Sequence, residues 1–348
     1  MTPLILFRAD ADPTMGTGHV MRCLALAEAL RDRDVAVAFA CALITPSIAR
    51  RLAAQRIDVH AVDPAADDQA AATIAIAHSL GANAAVVDGY HLGTGWRLAL
   101  RSLGIPILAF QDMDDGMALH ADLVLNAAAA ADDPRWRRAS PNATFLFGPR
   151  HVLLRGELRR AMAALPTPMA DRSSILVTFG GADPAGLTLP VTTALSGVLG
   201  PKVPLDVVIG GSVPDGAGLA ERVAALGEQV AVHLDPMAMA PLMSRAGLAV
   251  SAAGGTVGEL AALGVPALIA IVAENQVAGA ATSVAHGWCE AFDAREPGAV
   301  EALALRAGML WADVGRRQAM ARRTTGLIDA EGADRVVDTL VGAMQTLW

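Results

Sequence analysis

The sequence predicts an α/β protein made of two Rossmann-like, doubly wound domains in tandem, with ligands expected in the cleft between them. Three observations carry that expectation. At 348 residues the chain is too long for one ordinary domain. Short unbroken apolar runs alternate with helix-type segments from one end to the other. Glycine-rich turns join such a run to a helix in both halves.

The first half offers strands at Leu4–Ala9, Val35–Ala40, Ile57–Val62, Ala84–Asp88, Ile105–Phe110 and Leu123–Asn126. They are continuous rather than alternating, the pattern of strands buried on both faces of a parallel sheet. Between the first two, Arg22–Asp32 sets Cys23, Leu24, Ala27 and Leu30 at helical spacing. A charged, then proline-punctuated, then polar stretch, "RGELRRAMAALPTPMADRSS", marks a seam near residues 150–172 and places the domains at 1–155 and 172–348. Beyond it the rhythm restarts with strands at Ile175–Phe179, Leu205–Ile209, Val230–Leu234, Leu248–Ser251 and Ala267–Val272. Helices at Glu301–Trp311 and Val336–Thr346 close the chain, the final ones free to pack back on the first domain.

Composition narrows the function. With 53% hydrophobic and 18% charged residues there is ample apolar surface to bury, which excludes a disordered chain. The formal charge of −8, without a basic tail, argues against nucleic acid or an anionic membrane as partner. Cys23, Cys41 and Cys289 lie far apart and form no CxxC pair, so neither a zinc cage nor a disulfide framework is expected. The N-terminus lacks a basic signal-peptide region, and no apolar stretch reaches the roughly 18–20 residues of a membrane span. A cytoplasmic monomer acting on a small molecule, with no cofactor and no metal, is the expectation.

The glycine turns carry the chemistry. In "MGTGHVMRC", Gly16, Thr17, Gly18, His19 and Arg22 form the first. In the second half, "FGGADP" contributes Gly180, Gly181 and Asp183, and "SAAGGTVGEL" contributes Ser251, Gly254, Gly255, Thr256 and Glu259. Glycine lets the backbone approach a ligand, and free N–H groups at a helix start favour anions, so a phosphate or diphosphate is predicted. Thr256 is expected to cap a helix over Val257–Leu263. No G-x-x-x-x-G-K-[ST] is present, and "GTGHVM" lacks the third glycine of a dinucleotide fingerprint, which disfavours NTPases and nicotinamide enzymes.

His19, at a helix N-terminus, feels a positive potential that favours its neutral, proton-accepting form, as a general base requires. The other seven histidines (His60, His78, His91, His120, His151, His233, His286) show no metal spacing and read as surface or core residues. "VVDGYHLG" puts Asp88 at a strand end with Tyr90, the one tyrosine, beyond it, either in the cleft or as a loop anchor. "IVAENQ" ends a strand at Glu274, Asn275 and Gln276, which suit ligand hydrogen bonds or, for Asn275, a helix cap.

In this order, G-T-G-H-V-M-R-C, D-G-Y, "LFGPRHVLLR", "VTFGGADP", "GGTVGELAALGVP" and "ENQ" resemble the UDP-sugar hydrolases of pseudaminic acid biosynthesis, the PseG/SpsG family. That family removes UDP from a 2,4-diacetamido-2,4,6-trideoxyhexose and is similar in architecture to MurG-type GT-B glycosyltransferases. The resemblance runs to about residue 290. It implies that His19 is the catalytic base, with Asp10 and Tyr90 beside it. It implies diphosphate loops at Gly180–Asp183 and Gly254–Thr256, a ribose-binding Glu259, and substrate contacts from Asn275 and Gln276. Asp12, Gln111–Asp115, Gly247 and Gly255 depart from the family pattern, which bears on the identity of the sugar.

The mechanism implied is attack of water on the anomeric carbon with inversion, His19 taking the proton and UDP departing. Inverting glycosidases use a carboxylic acid to protonate the leaving oxygen; a diphosphate needs only N–H donors. Two alternatives stand beside it: a GT-B glycosyltransferase whose His19 deprotonates a sugar hydroxyl, and a nucleotide-sugar binding protein without turnover.

Overall fold

Two parallel sheets organise the chain in the computed structural model, which describes residues 2–66, 68–112, 116–128, 134–164 and 167–346. Met113–Asp115 of the "QDMDD" stretch, and Leu165 and Pro166 within the seam, lie outside the described residues. The first sheet comprises β1 (Leu4–Ala9), β2 (Ala36–Cys41), β3 (Asp58–Ala61), β4 (Ala84–Asp88), β5 (Ile107–Phe110), β6 (Leu123–Asn126) and β7 (Thr144–Phe147). The second comprises β8 (Ser174–Thr178), β9 (Leu205–Ile209), β10 (Val230–Leu234), β11 (Ala246–Ala252), β12 (Ala267–Ile271) and β13 (Cys289–Asp293). Their orders are β3-β2-β1-β4-β5-β6-β7 and β10-β9-β8-β11-β12-β13. Every pairing is parallel, from Leu4↔Ala36 at β1/β2 to Asp293↔Ile271 at β13/β12.

By contact the chain divides into two units. One holds the residues up to Asp12, His19–Gly156 and everything from Glu331 on; the other holds Pro13–Gly18 and Glu157–Ala330. In the first, Ile5, Phe7 and Ala9 of β1 pack against Leu26 and Leu30 of the helix Gly18–Arg31. On the same face lie Val336, Val337 and Leu340 of the helix Gly332–Thr346, so the chain's last helix completes the core begun by its first strand. That helix is also pinned by polar contacts. Arg33 pairs with Asp334 and Asp338, Arg335 donates to the Arg150 carbonyl at 2.8 Å, and a Cβ on Gly332 would lie 2.2 Å from the Val152 carbonyl oxygen. Leu6, Ala38 and Ala40 face the other way, toward Val62 and Ala77. In the second unit, Ile175, Val177, Val207 and Val250 of the sheet bury against Val191 and Leu195 of the helix Thr188–Leu199 and against Leu303, Ala307 and Leu310 of the helix Ala299–Ala312.

At the seam the chain passes from the first unit to the second between Gly156 and Glu157. The Gly156 N–H donates to Glu28 Oε2 at 2.6 Å in the first unit, while the next residue, Glu157, accepts from the Met239 and Ala240 N–H groups at 3.0 and 3.4 Å in the second. Glu157 thereby supplies the acceptor that the helix Ala240–Arg245, which has no side-chain cap of its own, would otherwise lack.

Several elements differ from the sequence expectation. The sequence expectation omits β7 and β13: β7 is only four residues long, at the sheet edge, and β13 breaks its apolar residues Cys289, Ala291 and Phe292 with Glu290 and is mostly half-buried, so it shows no continuous apolar run. The helix after β1 begins at Gly18, four residues before the expected Arg22, which places His19 in its first turn. Thr256 is the first residue of a helix over Thr256–Ala262 rather than its cap; Gly255 occupies the cap position and offers no side-chain acceptor. Asn275 is not a cap either, because it lies inside a single 3₁₀ turn, Glu274–Gln276, ahead of the helix Val277–Ala285.

Both strand orders reverse direction at one place, between β1 and β4 in the first sheet and between β8 and β11 in the second. In open parallel sheets the crevice outside the strand C-termini at such a reversal is where ligands bind. The residues following β1, β4, β8 and β11 therefore define the candidate site in each unit.

Candidate functional site

In the first unit, β1 leads through Asp10 to the helix Gly18–Arg31, and β4 ends at Asp88, which is fully buried. His19 and Arg22, three residues apart, share one helical face and converge on that carboxylate. His19 Nδ1 lies 2.7 Å from Asp88 Oδ1. Arg22 donates from Nε to Oδ2 and from Nη2 to Oδ1, the latter at 2.7 Å. Burial, the largest influence on Asp88, favours its neutral acid; the charges of Arg22 and His19 and their hydrogen bonds outweigh it and hold the carboxyl well below the usual range. An ionised Asp88 only accepts, so the bonded His19 nitrogen is Nδ1–H whatever the charge on the ring, and in the neutral imidazole the lone pair sits on Nε2. That is the arrangement of a general base held in one tautomer by a buried acid, which also stabilises the imidazolium formed once a proton is taken.

Tyr90 stands against this dyad. Its ring meets His19 edge-on with centroids 4.8 Å apart, and its hydroxyl donates to Asp112 Oδ2 at 2.8 Å. Arg22 Nη1 reaches the same oxygen at 2.6 Å, and its guanidinium lies over the Phe110 ring at 4.8 Å. Burial opposes the Arg22 charge, but Asp112 and Asp88 raise its pKa well above the ordinary value. His19, Arg22, Tyr90, Asp88 and Asp112 are thus one connected network, drawn from the ends of β1, β4 and β5.

Asp10 occupies a different position. Its Oδ1 accepts from the Ala42 and Leu43 N–H groups, at 2.6 and 3.0 Å, and pairs with Arg8 at 2.7 Å; its Oδ2 lies 2.8 Å from His91 Nε2. Burial alone would raise its pKa, yet the His91 hydrogen bond, the Arg8 charge and the Leu43 N–H bring it down to about 2. This carboxylate ties together the segments that follow β1, β2 and β4.

In the second unit the three loops follow adjacent strands, β8, β11 and β12. After β8, Gly180 has φ +80°, which its lack of a Cβ permits. Gly181 packs so closely that an added Cβ would lie 2.0 Å from Thr17 Oγ1, a residue that groups with this unit. Asp183 is committed to the start of the helix Thr188–Leu199, accepting from the Leu187 and Thr188 N–H groups and the Thr188 hydroxyl at 2.9, 2.9 and 2.7 Å. After β11, Gly254 and Gly255 are exposed, with open space where a Cβ would go. They lead into the uncapped helix that carries Thr256 and Glu259, whereas Ser251 is buried and donates to the Ala252 carbonyl at 3.2 Å. After β12, Gln276 Oε1 accepts from the Val272 N–H at 2.9 Å and Glu274 pairs with Arg295 at 2.9 Å. Backbone N–H groups and exposed glycines at Gly254–Thr256 make this strand-to-helix junction the part of the unit suited to an anion. Gly16, with φ +86°, and Gly18, with open space at its Cβ position, flank Thr17 in the first glycine turn.

In the sequence Asp88 stands at a strand end facing the expected cleft, unpaired with His19; His91 reads there as a surface or core residue and Asp112 only as part of the Gln111–Asp115 departure. An acid just after a buried strand next to the reversal is the signal that would have found Asp112. Among the described residues no group of three or more His, Cys, Asp or Glu side chains could hold a metal ion, and no helix is long and apolar enough to cross a membrane.

No family model matches the chain. An uncharacterized protein, MJ1062, from Methanocaldococcus jannaschii is 21% identical over 273 residues; the match covers 75% of this chain and spans about half, 54%, of that protein. Among solved structures, MurG of Acinetobacter baumannii superposes with a TM-score of 0.64 at 20% identity, covering 98% of this chain and all of that one. The complex of S. aureus MnaA with UDP gives 0.67 at 13% identity, over 100% of this chain and 98% of that one. Spinosyn forosaminyltransferase SpnP gives 0.62 at 14%, over 98% and 100%. The chain therefore has the GT-B fold, two Rossmann-like α/β units, shared with glycosyltransferases and with a protein caught holding UDP.

Proposed function

We propose that this protein displaces UDP from the anomeric carbon of a UDP-sugar, with His19 as general base and the sugar passing to a hydroxyl of a second molecule. The observation that carries the reading is the buried Asp88 fixing His19 Nδ1 at 2.7 Å, which leaves Nε2 as the proton acceptor. The whole-chain likeness to MurG and to the UDP complex supports the nucleotide-sugar part.

The roles divide between the units. In the second, the N–H groups around Gly254–Thr256 receive the diphosphate, the glycine turn Gly180–Gly181 lies at the next strand, and Glu259 accepts from the ribose hydroxyls. Asn275 and Gln276 are assigned to the nucleotide sugar, Glu274 and Asp183 to holding their loops. In the first unit, Nε2 of His19 removes the acceptor's proton as its oxygen attacks C1, and the positive charge that appears on the ring is met by Asp88. Bond formation to the new oxygen and departure of UDP invert the configuration. The developing charge on the leaving diphosphate falls on N–H donors already oriented by the helix start, so no carboxylic acid is required. Tyr90 packs the imidazole edge and Arg22 keeps Asp88 ionised; Asp10 holds the surrounding loops.

A second reading puts water in place of the acceptor, making the protein a UDP-sugar hydrolase. The ordered motif set from G-T-G-H-V-M-R-C to "ENQ" favours it, and the dyad serves water as well as it serves an alcohol. One experiment separates the two: phosphorus NMR of the protein with a panel of UDP-sugars, followed with and without added sugar or lipid-linked acceptors. UDP formed only with an acceptor supports transfer; UDP formed at the same rate without one supports hydrolysis. Ligand-induced stabilisation with no UDP in either condition would overturn both.

A further inference from the structure

The reversal point of the first sheet holds two histidine–aspartate pairs, arranged crosswise. Asp88 ends β4 and holds His19, which follows β1; Asp10 follows β1 and holds His91, which follows β4. The pairs lie on opposite faces of the sheet. Asp88 continues the alternation of Ala84 and Val86, on the face covered by the helix Gly18–Arg31, whereas Asp10 continues that of Leu6 and Arg8, on the other.

His91 is more constrained than a surface histidine needs to be. An ionised Asp10 only accepts, so His91 Nε2 carries the proton and donates to it at 2.8 Å, which leaves Nδ1 as the free nitrogen. The ring lies over Gly89, where a Cβ would come 2.8 Å from His91 Cε1, so only glycine there gives the ring its place. The turn is fastened from beneath by Arg97, itself buried, which donates to the Leu92 carbonyl at 2.8 Å and the Gly89 carbonyl at 3.4 Å. The His91 side chain remains 36% exposed. An imidazole oriented through one nitrogen, with its ring partly exposed and placed just after a strand at the sheet's reversal point, is suited to recognition.

We infer that His91 is a second ligand-facing imidazole, which hydrogen-bonds a polar substituent of the sugar through Nδ1. The inference rests on the nucleotide-sugar reading above, in which the second unit holds the nucleotide and the first unit meets the sugar. Asp10 is then a positioning residue, serving His91 as Asp88 serves His19.

The test uses the full chain labelled with ¹⁵N-histidine, titrated with UDP, UDP-glucose, UDP-galactose and UDP-N-acetylglucosamine, with affinities measured in parallel by calorimetry. The free protein should show His91 as the Nε2–H tautomer. UDP alone should leave its Nδ1 resonance in place, and the UDP-sugar that binds more tightly than UDP should move it. His91→Phe keeps the ring over Gly89 and leaves Asp10 its Arg8, Ala42 and Leu43 partners. It should weaken that UDP-sugar about tenfold, the loss of roughly one hydrogen bond, and leave UDP affinity unchanged. His91→Asn, whose amide falls near the Nδ1 position, should recover part of the sugar affinity. His91→Gln, whose amide reaches toward Asp10 instead, should not; if Gln restores binding and Asn does not, the contact with Asp10 alone matters and the inference fails. It fails equally if a UDP-sugar shifts His19 but not His91, or if every UDP-sugar binds no more tightly than UDP. A wild-type protein that binds neither UDP nor any of the sugars removes the nucleotide-sugar reading itself.

Discussion

His19→Asn keeps a polar side chain in the first turn of its helix but removes the nitrogen that accepts a proton. If the imidazole is the base, kcat should fall by about 10² to 10⁴ while UDP affinity, measured by calorimetry, stays as it was; wild-type turnover in this variant would end the mechanism. Asp88→Asn acts differently, because it leaves Arg22 partly buried with one anionic partner where it had two. A drop in stability of about 3 kcal/mol is expected from breaking a buried pair, visible in urea unfolding, together with a kcat loss from the wrong imidazole tautomer. The acid limb of stability follows from the same carboxylates. Both Asp10 and Asp88 have pKa values depressed on folding, so the stabilisation they give is present above the ordinary carboxylate value of about 3.9 and is lost as pH falls. For Asp10 the loss is complete only below about 2. Asp10→Asn should therefore flatten the fall of unfolding free energy between those limits, and an unchanged acid slope would show that folding does not depress this carboxylate's pKa. His19, Asp88 and Tyr90 were legible in the sequence because each lies at a strand end or helix start. Their partnership was not, since the contact of His19 with Asp88 spans 69 positions and depends on β1 and β4 being neighbours.

At the level of elements, every central strand was readable, as were the edge strands β3 and β10, while the edge strands β7 and β13 were not. β1, β4 and β8 are buried on both faces and therefore spell continuous apolar runs, whereas β13 carries Glu290 and Asp293 and is only partly buried beyond Cys289. The helix Thr256–Ala262 starts a residue early because a glycine can end the loop without a side-chain cap, leaving N–H groups for a ligand. The last helix shows how sequence distance hides a core. Nothing local in Gly332–Thr346 says which sheet it covers, yet Val336, Val337 and Leu340 are wholly buried against the first. Gly332→Ala tests that docking, since the new methyl would lie 2.2 Å from the Val152 carbonyl oxygen. The backbone has to shift to admit it, at a cost of about 1–3 kcal/mol. Urea unfolding should show the loss, whereas Gly342→Ala in the same helix, where no atom lies within 4 Å of the added group, should be neutral or slightly stabilising. Equal behaviour of the two variants would mean the helix end is not held against Val152.

For the whole molecule, the GT-B architecture was legible because βαβ rhythm repeats on both sides of one seam, while the class of acceptor was not, because a histidine–aspartate dyad takes a proton from water or from an alcohol alike. The proposed division of labour can be tested without knowing the acceptor. Glu259→Ala should weaken UDP by about 1–3 kcal/mol, the cost of removing a charged hydrogen-bond acceptor, and leave turnover at saturating substrate nearly intact. His19→Asn should do the reverse. The two residues lie in different units and, in the proposed reading, act on different parts of the ligand, so their effects on kcat/KM should add in the double variant, within about 0.5 kcal/mol. A coupling of 1 kcal/mol or more would mean that losing the ribose contact already misplaces the anomeric carbon relative to the base. Binding and chemistry would then be one cooperative event, and the assignment of the nucleotide to one unit and the proton to the other would fail.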